Sequence, residues 1–224
     1  MRRGRTRAEQ RVVAGIALLL ASLSLAAAAA GQQMPARPPS PDAEAAAITR
    51  VVMSAELAAW ARMRGDAQAL LVAARVLDEI RVRPQSGEAP FLTADALVRE
   101  AESLAPEDSA VRAEILRLRN RHKGVRASAF GPGPIVIVRR VPARETFGFE
   151  VEARPNEVLR VAAIGDGDTN IDLVLRERDG TVLCSDSSLD HYPVCTLGRP
   201  RGGPVRIEVV NRGAVWSRVQ ILTN

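Results

Sequence analysis

Residues 165–186 read GDGDTNIDLVLRERDGTVLCSD. Two apolar runs, 171–177 and 181–185, flank Asp179-Gly180. Asp-Gly tolerates positive φ, so the pair predicts a tight hairpin between two short strands. Outward from this hairpin the same pattern repeats. IVIVRRV (135–141), TFGFEV (146–151), VLRVAAI (158–164), VCTL (194–197), VRIEVVN (205–211) and WSRVQIL (216–222) are all short runs with strand composition. Eight candidate strands with no helical period between them predict an antiparallel β-sandwich of jelly-roll type over residues 135–224.

Upstream the period changes. Ile48, Val51, Val52, Ala55, Ala59 and Met63 fall at spacings of three and four, as do Leu70, Ala74, Leu77 and Ile80. That spacing places them on one face of a helix. Gly65 ends the first run and Asp66 caps the second. "RPQSGEAP" (83–90) reads as a loop, Thr93 caps a third helix and Pro106 opens a fourth. Residues 42–122 thus read as two α-helical hairpins, about four helices in all. The expected fold class is α+β in two segregated domains, joined by the Gly/Pro linker 123–134. Trp60 reads as core or hairpin packing rather than a ligand platform, and His122 as a cation suited to a helix end.

Residues 1–41 point to export. Five arginines precede an apolar core over 12–25, and Ala26 to Ala30 suit a signal peptidase. We expect a signal peptide over 1–30, a Pro-rich tether over 31–41 and no membrane span after cleavage. The expected location is periplasmic or extracellular. Residues 1–33 carry five arginines against one glutamate, four of the chain's five net positive charges. The rest is nearly neutral, which argues against a nucleic-acid partner. An even pair of cysteines, Cys184 and Cys195, then reads as a disulfide. A ring this short stabilises by about 3 kcal/mol in the chain-entropy model.

The stretch from Gly165 to Asp186, followed by GGPVRIEVVNRGAVWSRVQILTN (202–224), resembles the bacterial pre-peptidase C-terminal domain. Members commonly carry G-D-x-D-T-D-x-D-L, a strand, a D-x-x-G turn, a second strand, a "G-x-Y-x-x-x-V-x-N" strand and a final hairpin. The corresponding pieces here are Asp166 to Leu173, Asp179-Gly180, Cys184 to Asp186, Gly203 to Asn211 and Trp216 to Asn224. Asn170 stands where an acid is frequent, and Val205 where an aromatic is usual. The resemblance implies a jelly-roll sandwich that is not catalytic and accompanies secreted peptidases. Some members bind calcium, and some bind matrix protein or assist export.

The acids have two readings. Asp166, Asp168, Asn170 and Asp172 alternate, so an extended backbone would set them on one face, with Asp186 or Asp190 approaching from a neighbouring loop. Such oxygens suit Ca2+. Alternatively the same residues build turns, because Asp and Asn hydrogen-bond nearby backbone. An EF-hand is excluded, since Ile171 replaces the turn glycine and strands flank the loop. No phosphate loop, zinc spacing or nucleophile elbow is present, and no catalytic residue is assigned. The expectation is an exported, non-catalytic accessory or binding protein with a protein or extracellular-polymer partner. The alternatives are an envelope scaffold whose helices hold a partner and, more remotely, a hydrolase.

Overall fold

The computed structural model describes residues 41–85, 87–121 and 133–224. The expected signal peptide, nearly all of the tether, His122 and most of the linker lie outside these residues. Four helices come first: α1 (Pro41–Arg64), α2 (Ala67–Asp78), α3 (Ala94–Leu104) and α4 (Ser109–Arg121). A two-residue strand, β1 (Arg83–Pro84), interrupts them. Eight strands follow: β2 (Ile135–Val141), β3 (Thr146–Ala153), β4 (Glu157–Gly165), β5 (Ile171–Arg176), β6 (Val182–Asp186), β7 (Val194–Arg199), β8 (Gly203–Asn211) and β9 (Ser217–Thr223). Among the described residues no helix is long and apolar enough to cross a membrane.

The expected punctuation governs the helices. Gly65 takes φ 65° after α1, and the Asp66 side chain accepts a hydrogen bond from Ala69 N at the start of α2. Thr93 likewise accepts from Ala96 N on α3. The fourth helix begins later than expected. Asp108 accepts from Ala110 N and Val111 N, so the cap is Asp108 and Pro106 lies in the preceding turn. β1 was expected as loop. It pairs in parallel with β2 through Arg83 N to Pro134 O and Gln85 N to Val136 O.

The strands form two sheets, one ordered β1-β2-β9-β4-β7 and the other β3-β8-β5-β6. β2/β9, β3/β8, β4/β7 and β5/β6 all pair antiparallel. This nesting of first with last is a long hairpin rolled up, the jelly-roll order. Between the sheets lies one apolar cluster, including Val161, Ile171, Leu173, Leu175, Ile207 and Ile221.

The first sheet is covered on its other face too. Val136, Val138, Ala162, Ile164 and Leu222 join the cluster made by the helices. The described residues accordingly form one compact unit. This explains two burial patterns. β3 alternates between exposed and half-buried, because one face meets water; β4 is buried without a break from Val161 to Gly165, because both faces are covered. Ala162 there, and the alanines of α1, leave room for the helix to lie close. Gln220, 2% exposed, is the polar pin of this interface. Its Oε1 accepts from Phe91 N (3.1 Å) and Leu92 N (3.2 Å), which fixes the α2–α3 loop on the sheet.

Candidate functional site

The loop between β6 and β7 is held at both ends. Cys184 on β6 is bridged to Cys195 on β7. Asp186, two residues along the same strand, accepts from Val194 N (2.8 Å), Ser188 N (3.2 Å) and Ser188 Oγ (2.9 Å). Residues two apart on a strand face one way, so disulfide and carboxylate together clamp the edge of the sandwich. Partial burial opposes ionisation of Asp186, but the bonds from Val194 and Ser188 outweigh it and hold its pKa below the usual carboxylate value. Asp190 then accepts from Tyr192 N (2.9 Å).

The clamped loop lies against the end of β4. Gly165 N donates to His191 O (2.8 Å), and Ala163 N donates to Pro193 O (3.0 Å). A Cβ at Gly165 would meet both His191 Cβ and Ile171 Cγ1 at 3.1 Å, so glycine is what allows this approach. The loop thereby presents two adjoining rings, His191 and Tyr192, with centroids 4.0 Å apart and planes tilted by 44°. Burial lowers the His191 pKa and raises that of Tyr192, so both rings are neutral near pH 7.

These rings form one wall of a cleft of about 580 Å³ between α1 and the sandwich. The opposite wall is α1, with Ala55, Glu56, Ala59, Trp60, Arg62 and Met63. Phe91 and Leu92 close one side; Ile164 to Gly167 form the floor at the exit of β4. Three of the chain's seven aromatic residues meet here. Trp60 is 41% exposed and Met63 81%, so Trp60 is not the buried packing residue that the sequence suggests. Arg62 is neutralised by a two-pronged bond to Glu100 (2.7 and 2.8 Å), which also raises its pKa. Glu56 has no hydrogen-bond or ion-pair partner among the described residues.

The acids of 166–172 do not share one strand face. β5 begins only at Ile171, and Gly167 turns the preceding loop with φ 98°, so alternation does not apply before the strand. Asp166 accepts from Ser217 Oγ (2.8 Å) and Arg218 N (2.9 Å) on β9. Asp168 is exposed. Asn170 and the buried Asp172 are clasped from the β8–β9 loop: Arg212 N donates to Asn170 O (3.0 Å) and Arg212 Nε to Asp172 Oδ2 (2.6 Å). Asp186 and Asp190 are engaged in their own loop. Among the described residues no three His, Cys, Asp or Glu side chains stand together as a metal site. A guanidinium already holds Asp172, and backbone and hydroxyl donors hold Asp166. These bonds build turns, while Asn170 Oδ1 and Asp172 Oδ1 are buried with no hydrogen-bond partner among the described residues.

No protein-family model and no curated protein matches the chain. Solved structures similar to it include the pre-peptidase C-terminal domain of a Bacillus anthracis collagenase. The identity is 6%, over 40% of this chain and 87% of that one, with a TM-score of 0.36. A Yersinia pseudotuberculosis-derived mitogen matches at 10% identity over 41% and 85%, with a TM-score of 0.34. A periplasmic inhibitor of g-type lysozyme from Aeromonas hydrophila matches at 11% over 41% and 86%, with a TM-score of 0.30. These likenesses concern the sandwich and its fold alone.

The cleft was not readable as a site beforehand. Its walls come from residues 55–63, 91–92, 164–167 and 191–192. No spacing rule connects these segments; the single signal was the scarcity of aromatic residues in this chain.

Proposed function

We propose that the chain is an exported, non-catalytic binding module that holds a protein partner in the cleft between α1 and the clamped loop of the sandwich. The carrying observation is the convergence of Trp60, Phe91 and Tyr192, with the protruding Met63, on one concave surface. Aromatic residues, Met and Arg are the types enriched where proteins meet. Export is supported by the signal-like leader and the Cys184–Cys195 bridge. The absence of an assigned reaction rests on the site's chemistry. His191 is not hydrogen-bonded to any hydroxyl or carboxylate among the described residues, and Ser217, fully buried, donates its hydrogen bond to Asp166 and not to His191.

The test uses the whole chain with one change on each wall. Partner recovered by affinity capture should fall sharply for both Trp60→Ala and Tyr192→Ala. A scaffold whose helices alone hold the partner would lose it with Trp60→Ala and keep it with Tyr192→Ala. Recovery of a polysaccharide in place of a protein would redirect the reading to a polymer ligand. Turnover of generic ester or peptide substrates, lost with His191→Asn, would replace it with a hydrolase.

A further inference from the structure

The charges around the cleft are lopsided once internal pairing is counted. Arg62 is spoken for by Glu100. Glu56 lines the cleft without a partner among the described residues, and Asp166 lines it as well. Asp190 acts electrostatically on both His191 and Tyr192, and Arg62 acts on both with the opposite sign despite its bond to Glu100. His191, kept neutral by burial, contributes no compensating positive charge. Glu56, Asp166, Asp190 and Glu100 outnumber Arg62 and Arg64, so the surplus is carboxylate, set beside aromatic faces.

Those faces already attract cations from within the chain. The Arg64 guanidinium carbon lies 4.9 Å from the Trp60 ring centroid, and that of Arg218 lies 5.1 Å from Phe91. Among the described residues Tyr192 carries no such cation. Aromatic faces together with nearby carboxylate favour a cation on an apolar stem, since the rings cover the stem while their quadrupole and the carboxylate meet the charge.

We infer that the cleft seats a basic side chain, lysine or arginine, of the protein partner, between Trp60 and Tyr192 with Glu56 as its counter-ion. This rests on the cleft being the partner site, and it adds what the partner must present there. Arg64 then has a definite role. It is the resident cation at the Trp60 ring, and it competes with the incoming one.

The test uses the full chain, disulfide intact, carrying Trp216→Phe so that Trp60 alone fluoresces. Trp216 lies outside the cleft lining. The probes are the Nα-acetyl methylamides of lysine, arginine, norleucine and glutamate. The lysine and arginine probes should perturb Trp60 with dissociation constants about tenfold below that of norleucine. Raising salt should narrow the gap. Glu56→Gln, at an exposed position, should remove the preference while norleucine binding stays. Arg64→Gln should tighten the basic probes, because it removes a competitor and a like charge. Norleucine binding as tightly as lysine would overturn the inference and leave an apolar partner site in place. Preference for glutamate, or weaker lysine binding in Arg64→Gln, would overturn it too. If no probe perturbs Trp60 at tens of millimolar, the inference falls; whether the cleft holds a partner is then decided separately by capture with Trp60→Ala and Tyr192→Ala.

Discussion

Single residues decide what the acidic stretch is for. If Asp166 and Asp172 build loops, their substitution costs should follow their bonds. Asp166→Ala strands the buried Ser217 hydroxyl and Arg218 N, and should cost about 1–2 kcal/mol in denaturant unfolding. Asp168→Ala, at an exposed position, should stay within about 0.5 kcal/mol. Calcium or EDTA should leave both melting curves unmoved; a calcium-dependent rise in wild type that Asp168→Ala abolishes would restore the metal reading. His191 makes a second prediction. Its folded pKa lies below the ordinary value because burial disfavours the imidazolium, a cause that outweighs the raising effect of Asp190 and Asp166. Below about pH 6.5 the unfolded chain takes up a proton that the folded loop refuses. Stability should therefore fall as pH drops from that value towards the depressed folded pKa, and the effect should be absent above it. His191→Asn should flatten this slope in melts between pH 7 and 5, whereas an unchanged slope would assign it to other groups. Asp186 lies lower: its contribution is present above the ordinary carboxylate value and lost as pH falls through its depressed folded one.

At the scale of elements, the strands were legible and their coverings were not. All eight strand runs occur within two residues of their expected ends, because apolar runs bounded by turn residues such as Asp179-Gly180 leave the backbone few choices. β1 was missed because its pairing uses backbone groups of Arg83 and Gln85 and no side-chain pattern marks it. Nor did any pattern announce the helical layer over β4 and β9; "VAAI" (161–164) is small and apolar on both faces, and its meaning emerges only with α1 in place. The disulfide was readable from cysteine parity and the signal-like leader, whereas the aspartate beside it, clamping the same loop, was read as a ligand candidate. Two element-scale outcomes follow. Gln220→Ala leaves Phe91 N and Leu92 N without their acceptor, and should cost about 1–3 kcal/mol and loosen one side of the cleft. Amide exchange at 91–92 should speed up more than at β2 or β8; unaltered exchange there would mean the loop is held by something else. Replacing both cysteines with serine should cost about 3 kcal/mol and loosen residues 187–193 first.

At the scale of the molecule, four helices and a jelly roll share one apolar layer, and the site exists only where they meet. That shared layer predicts one cooperative transition. Trp60 reports from the helices and Trp216 from the β8–β9 loop. Single-tryptophan variants should therefore unfold at the same denaturant concentration, and two separated midpoints would mean that the halves fold apart. Partner binding in the cleft is tested most directly by site-specific crosslinking in cells that express the full chain. A photoreactive residue replaces Met63 at the cleft in one variant and Val182, half exposed on β6, in another. Position 63 should give one discrete adduct, absent when Trp60→Ala or Tyr192→Ala is added, and position 182 should give none. Equal adducts from both positions, or an adduct at 63 indifferent to Trp60 and Tyr192, would contradict it.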